Sequence, residues 1–97
     1  MNRKEELLVI LAEECGELTQ RVSKILRFGY EGREDKESNT TLLLREFNDL
    51  IAAMEMVYKE DWNKFEYDIF MKDWQTAKKE KVERLLKEAK EYKQDFG

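Results

Sequence analysis

Nothing in this chain compels a helix to stop. Its 97 residues include no proline and only four glycines, so the residues that most often break or kink a helix are absent or scarce. With 41% of positions charged and no succession of β-branched runs punctuated by turn residues, the pattern predicts long helices and makes strands improbable. The expected fold class is all-α: one domain over residues 1–97, a bundle of about four helices with residues 72–97 as a basic C-terminal helix. A domain of this length buries only a modest share of its surface by itself. Homo-oligomerisation is therefore expected to complete the core.

Apolar spacing locates the helices. Leu7, Leu8, Leu11, Cys15, Leu18, Val22, Ile25 and Leu26 recur at three- and four-residue steps, which predicts one helix from about Asn2 to Phe28 with a wide apolar stripe. The stretch Gly29–Asn39 has glycines, charges and no apolar period and reads as a mobile loop, with Ser38, Asn39 or Thr40 capping the next helix. That second helix is predicted from about Thr40 to Lys59, burying Leu43, Leu44, Phe47, Leu50, Ile51, Met54 and Tyr58. Trp62, Phe65, Ile69, Phe70 and Trp74 predict a short aromatic helix. A last helix is predicted from about Thr76 to Gln94, with Val82, Leu85, Leu86, Ala89 and Tyr92 on one face.

Absences narrow the chemistry. There is no histidine and one cysteine, Cys15, which excludes a Ser-His-Asp triad, a histidine base, an intramolecular disulfide and a cysteine-rich zinc site. Any metal site must be built from oxygen ligands, which suit Mg²⁺ or Mn²⁺. The net charge of −4 provides no overall positive field for nucleic acid or anionic membrane, although the charge divides into −6 before Lys72 and +2 from Lys72 onward. The N-terminal segment is amphipathic, not a long apolar run, so neither a signal peptide nor a membrane span is expected, and the chain is read as cytoplasmic.

The acidic residues share a geometry. In Glu13-Glu14-Cys15-Gly16-Glu17-Leu18, Glu14 and Glu17 lie about 60° apart on the first helix, roughly 90° from the centre of the apolar stripe. Glu46 and Asp49 repeat that spacing on the corresponding flank of the second helix. If the helices pack antiparallel, the two pairs converge at the rim, where they repel unless cations lie between them. Either pair alone is explained by a solvated flank in an acidic chain; the repeat on two helices is the more telling observation. Gly16 costs about 1 kcal/mol relative to alanine in mid-helix, which fits simple tolerance or a close packing partner.

Glu13–Leu18, then Lys24-Ile-Leu-Arg-Phe-Gly29, then Asn39-Thr-Thr-Leu-Leu-Leu-Arg-Glu46-Phe-Asn-Asp49-Leu-Ile resembles, in content and order, the MazG-like all-α nucleoside triphosphate pyrophosphohydrolases, whose hallmark is Glu-x-x-Glu followed after a loop by Glu-x-x-Asp. The match covers somewhat over half the chain. The resemblance implies Mg²⁺, with Mn²⁺ as an alternative, held by Glu14, Glu17, Glu46 and Asp49 as the metal-binding and catalytic set. Glu13 points further toward solvent. The resemblance also implies substrate contacts from Lys24, Arg27 and Asn39, hydrolysis of a ribo- or deoxyribonucleoside triphosphate to monophosphate and pyrophosphate, and a homodimer or homotetramer.

Structural roles compete with these assignments. Lys24 and Arg27 suit a helix C-terminus beside glutamates, and Asn39 suits a helix cap. Trp62, Phe65, Tyr67 and Trp74 could stack on a base, but small helical domains mostly use aromatics for core or interface. Lys78 and Lys81 are further cations for phosphate. Two other readings of the whole chain stand beside the first: a non-catalytic helical interaction protein, and a phosphoribosyl-ATP pyrophosphatase-like enzyme.

Overall fold

The computed structural model describes residues 1–61 and 70–96. By internal packing the chain divides into two compact units, Met1–Tyr67 and Asp68–Gly97.

The first unit opens with α1, Arg3–Phe28, within a residue of its predicted span. Asn2 caps it: its side chain accepts the Glu5 N–H at 2.9 Å, and the Glu5 carboxylate accepts the Asn2 N–H at 3.4 Å. This reciprocal pair satisfies two donors that a helix start leaves open. The helix ends at Gly29, whose φ of +83° favours glycine and whose N–H reaches the Ile25 carbonyl at 2.7 Å.

The connection is not the structureless loop expected from its composition. It contains a small antiparallel hairpin, β1 Arg33–Glu34 and β2 Glu37–Ser38, with Arg33 opposite Ser38 and Glu34 opposite Glu37. Asp35 turns it with φ +57°, a conformation aspartate tolerates better than most side chains. Two residues per strand give no period to read, so the expectation that strands are absent is corrected at this point.

α2 comes next as Asn39–Asp61. Of the three candidate caps, Ser38 is the one used: its Oγ accepts the Thr41 N–H at 3.2 Å. Asn39 instead is 3% exposed and donates from Nδ2 to the Gly29 carbonyl at 3.1 Å, while its backbone N–H meets the Gly32 carbonyl at 2.7 Å. A Cβ on Gly32 would lie 2.6 Å from the Phe28 carbonyl oxygen and 2.9 Å from Asn39 Nδ2. Glycine is required there by the space available.

α1 and α2 pack antiparallel, and Arg3 at the start of one reaches Glu60 near the end of the other at 3.2 Å. Among the described residues, the buried apolar ones are Leu7, Leu42, Ala53 and Val57. Leu11, Leu18, Ile25, Leu43, Leu50, Ile51, Met54 and Tyr58 are half-buried. Leu44 and Phe47, expected inside, are 56% and 45% exposed, as are Leu8, Val22 and Leu26 at 48%, 45% and 82%. The stripes are wider than one helix–helix contact can cover, and the contact uses one half of each. Gly16 has open space where a Cβ would sit, so no packing partner among the described residues of this unit accounts for it.

The second unit contains α3, Lys72–Phe96. It begins earlier than the predicted Thr76 and takes in Trp74, because neither proline nor glycine intervenes to separate an aromatic helix from a basic one. Trp62, Phe65 and Ile69, on which the separate aromatic helix rests together with Phe70 and Trp74, lie outside the described residues, as does Tyr67. Among the described residues there are three helices, and none is long and apolar enough to cross a membrane.

Candidate metal centre

The packing of α1 on α2 places the carboxylates deeper than the sequence suggests. On α1 the positions that lose solvent are Leu7, Leu11, Glu14, Leu18, Arg21, Lys24 and Ile25; on α2 they include Leu42, Glu46, Leu50, Ala53 and Val57. Glu14 and Glu46 therefore belong to the half-buried faces, and Glu17 and Asp49 to the exposed flank beside them. Relative to Leu7, Glu14 and Glu17 are rotated by about −20° and −80°; relative to Val57, Glu46 and Asp49 are rotated by the same roughly −20° and −80°. In an antiparallel pair, equal rotations fall on the same side. The two acidic pairs are thus related by an approximate twofold axis.

One carboxylate oxygen from each of Glu14, Glu17 and Glu46 can be chosen so that all three lie within 4.8 Å of one another. Asp49 is outside this group, yet its charge acts on both Glu14 and Glu46. Oε2 of Glu14 and Oε2 of Glu46 are shut off from solvent and, among the described residues, accept no hydrogen bond. Burial pushes the Glu14 carboxyl above its ordinary value, and the charges of Glu17, Asp49 and Glu13 push it further. Burial also raises Glu46, followed by a hydrogen bond to Glu17 that only its protonated form makes, and by the charges of Glu17, Asp49 and Glu14. Without a cation, the cluster favours retaining a proton.

The donor set fits a hard divalent cation. All its atoms are carboxylate oxygens, the two buried ones lack any other partner among the described residues, and the Glu17 and Asp49 side faces solvent, from which water can complete the coordination. Four of the residues singled out from sequence are accordingly brought to one side of the helix pair, three of them within reach of a common ion. Glu13 is exposed and outside the group.

The basic candidates are placed differently from one another. Lys24 lies on the carboxylate side of α1, where its Nζ donates to Glu34 at 2.8 Å. Arg27 sits about 140° round the helix from Glu14, its guanidinium 5.6 Å from the centre of the Phe28 ring, so the structure does not bring it to the carboxylates. Asn39 spends its amide N–H on Gly29 and lines an open pocket of about 200 Å³ with Lys24, Phe28, Arg33 and Glu34. Arg21 is a residue that the sequence reading misses. It lies one turn beyond Glu17 and joins Lys24 in binding the Glu34 carboxylate. Its three-residue spacing to Lys24 is the available signal. Lys78, Lys81 and the 72%-exposed Trp74 belong to α3.

Comparison of the chain with protein-family models, with curated proteins and with solved structures found no match.

Proposed function

We propose that the protein is a metal-dependent nucleoside triphosphate pyrophosphohydrolase of the MazG-like kind. The observation that carries this reading is the three-carboxylate cluster, in which Glu14 and Glu46 each keep one oxygen from both water and hydrogen-bond donors. A surface that used these glutamates only for solubility would leave their oxygens in water.

Glu14, Glu17 and Glu46 would hold Mg²⁺ or Mn²⁺, with Asp49 completing the acidic flank. When bound by these residues, such an ion would supply screening of phosphate charge and a lowered pKa for water, which suits a site without histidine. The reaction is attack of water oxygen on the α-phosphorus with cleavage of the α–β phosphoanhydride, giving nucleoside monophosphate and pyrophosphate. Lys24 binds and orients the negative phosphate chain from the next turns of α1. Asp49, exposed beside these glutamates and outside the three-carboxylate group, would accept the proton that water loses.

The same reading includes a homo-oligomer. Leu8, Val22 and Leu26 on α1 and Leu44 and Phe47 on α2 rotate from the helix contact in the sense opposite to the carboxylates, leaving an exposed apolar side for a second copy. Cytoplasmic residence follows from the substrate, a soluble nucleotide. Those apolar residues also favour the second reading, a non-catalytic helical interaction protein. Incubation with mixed ribo- and deoxyribonucleoside triphosphates and Mg²⁺ separates the two: pyrophosphate release supports the enzyme, and no product of any kind supports the interaction protein.

A further inference from the structure

We propose that Arg21 and Lys24 form an oligophosphate subsite which the Glu34 carboxylate fills in the free protein, so that the phosphate chain of a nucleoside triphosphate enters by displacing strand β1. This rests on the proposed reading of the carboxylates for its ligand, though not for its geometry.

Both cations lie on the acidic side of α1, rotated by about −40° and −100° from Leu7, and about 6 Å and 10 Å along the helix from Glu17. A phosphate chain starting at the carboxylate cluster meets Arg21 first and Lys24 next. Glu34 already satisfies both, one oxygen on each. A carboxylate and a phosphate present oxygens of similar spacing and compete for the same guanidinium and ammonium donors. The two hydrogen bonds hold the Glu34 carboxyl down to about 2, with Lys24 the larger contributor. Two cationic donors thus converge on one anion position, and all three side chains keep partial access to solvent at 23%, 39% and 43%. An open pocket adjoins it, lined by Lys24, Phe28, Arg33, Glu34 and Asn39.

The hairpin is built to yield on one side. Each strand has two residues, too few for independent stability. β2 is anchored to α2 separately, through two hydrogen bonds of 2.6 Å from Arg45 to Glu37. Release of Glu34 removes the side-chain tie of β1 to α1, leaving β1 held at Gly32 by the Asn39 N–H and by its pairing with β2, while β2 stays attached to α2.

The test uses the full chain without divalent metal and sodium tripolyphosphate as probe. Calorimetry should show Glu34→Gln binding it about tenfold more tightly than wild type, and the double variant Arg21→Gln/Glu34→Gln losing that gain. In wild type, saturating tripolyphosphate should speed amide hydrogen exchange at residues 33–38. Equal or weaker binding by folded Glu34→Gln overturns the proposal. If that variant does not fold, unchanged or slower exchange at residues 33–38 in wild type overturns it. Absence of nucleotide turnover with the expected tripolyphosphate results would sink the enzymatic reading alone; turnover with no gain in Glu34→Gln would sink the subsite alone. Repeating the titration with a nucleoside triphosphate separates a nucleotide ligand, which gains in parallel, from an inorganic polyphosphate ligand, whose gain a nucleotide does not share and which overturns the nucleotide assignment.

Discussion

Glu14 and Glu46 approach each other from antiparallel helices, each with an Oε2 that neither water nor a donor reaches. Glu17 lies close enough for one oxygen of each of the three to fall within 4.8 Å of the others. Like charges at such separations resist joint ionisation, so the metal-free fold and the metal-bound fold should respond differently to pH.

In the metal-free protein Glu14 and Glu46 are raised above their ordinary value of 4.5. Their contribution to stability is fully present below that value and is lost as pH rises through the raised folded values. Glu34 and Glu37 are lowered, Glu34 to about 2, so their contribution is present above 4.5 and is lost as pH falls through the lowered values. Thermal melts in chelator should therefore peak close to pH 4.5 and decline on both sides. A melting temperature that keeps rising from pH 4.5 to 7 would contradict the placement of Glu14 and Glu46.

Removing one repelling charge should help the empty site and harm the loaded one. Glu46→Gln is expected to raise the metal-free melting temperature near pH 7 by about 2–5 °C, the scale of a modest stability change in a small domain. It should also remove most of the gain conferred by Mg²⁺, which stabilises wild type by binding only the folded state. Glu13→Gln, outside the cluster, should leave both values within about 1 °C of wild type. Melts with and without Mg²⁺ measure both effects.

How much of the fold and of the site is legible in the sequence depends on period and spacing. Asn2 through Phe28 announces α1 because apolar residues recur at helical steps. The repeat of Glu14/Glu17 in Glu46/Asp49 gives the acidic side. Depth is not legible: with Leu8 and Leu26 widening one edge of the α1 stripe, its apparent centre drifts away from the face that meets α2, so Glu14 reads as rim. The hairpin is hidden because two-residue strands have no alternation, and its turn rests on one left-handed aspartate, Asp35. Arg21 is hidden because its partner, Glu34, is brought to it by that hairpin.

The connection itself should be sensitive at two small residues. Asn39→Ala removes a buried side chain that ties the second helix to the Gly29 carbonyl, leaving that carbonyl only the Gly32 N–H at 3.3 Å, and should cost about 0.5–1.5 kcal/mol. Gly32→Ala forces a methyl against the Phe28 carbonyl, with an expected cost of about 1–3 kcal/mol. Urea unfolding of each variant checks this, and midpoints equal to wild type would contradict the packing described for the connection.

The exposed apolar side should be an interface. Light scattering at micromolar concentration is expected to give a dimer or tetramer, and Leu26→Glu with Phe47→Glu is expected to reduce it to monomer without loss of helix by circular dichroism. Wild type measured only as monomer would contradict the homo-oligomer.

The central claim is that Glu14, Glu17 and Glu46 hold a metal for pyrophosphohydrolysis. Its most direct test is pyrophosphate release from a mixture of ribo- and deoxyribonucleoside triphosphates by wild type and Glu46→Gln, each with Mg²⁺ and with excess chelator. The account predicts pyrophosphate without orthophosphate from wild type with Mg²⁺, none in chelator, and a loss of about a hundredfold in Glu46→Gln. Turnover undiminished by chelator, or equal in the two proteins, would contradict it.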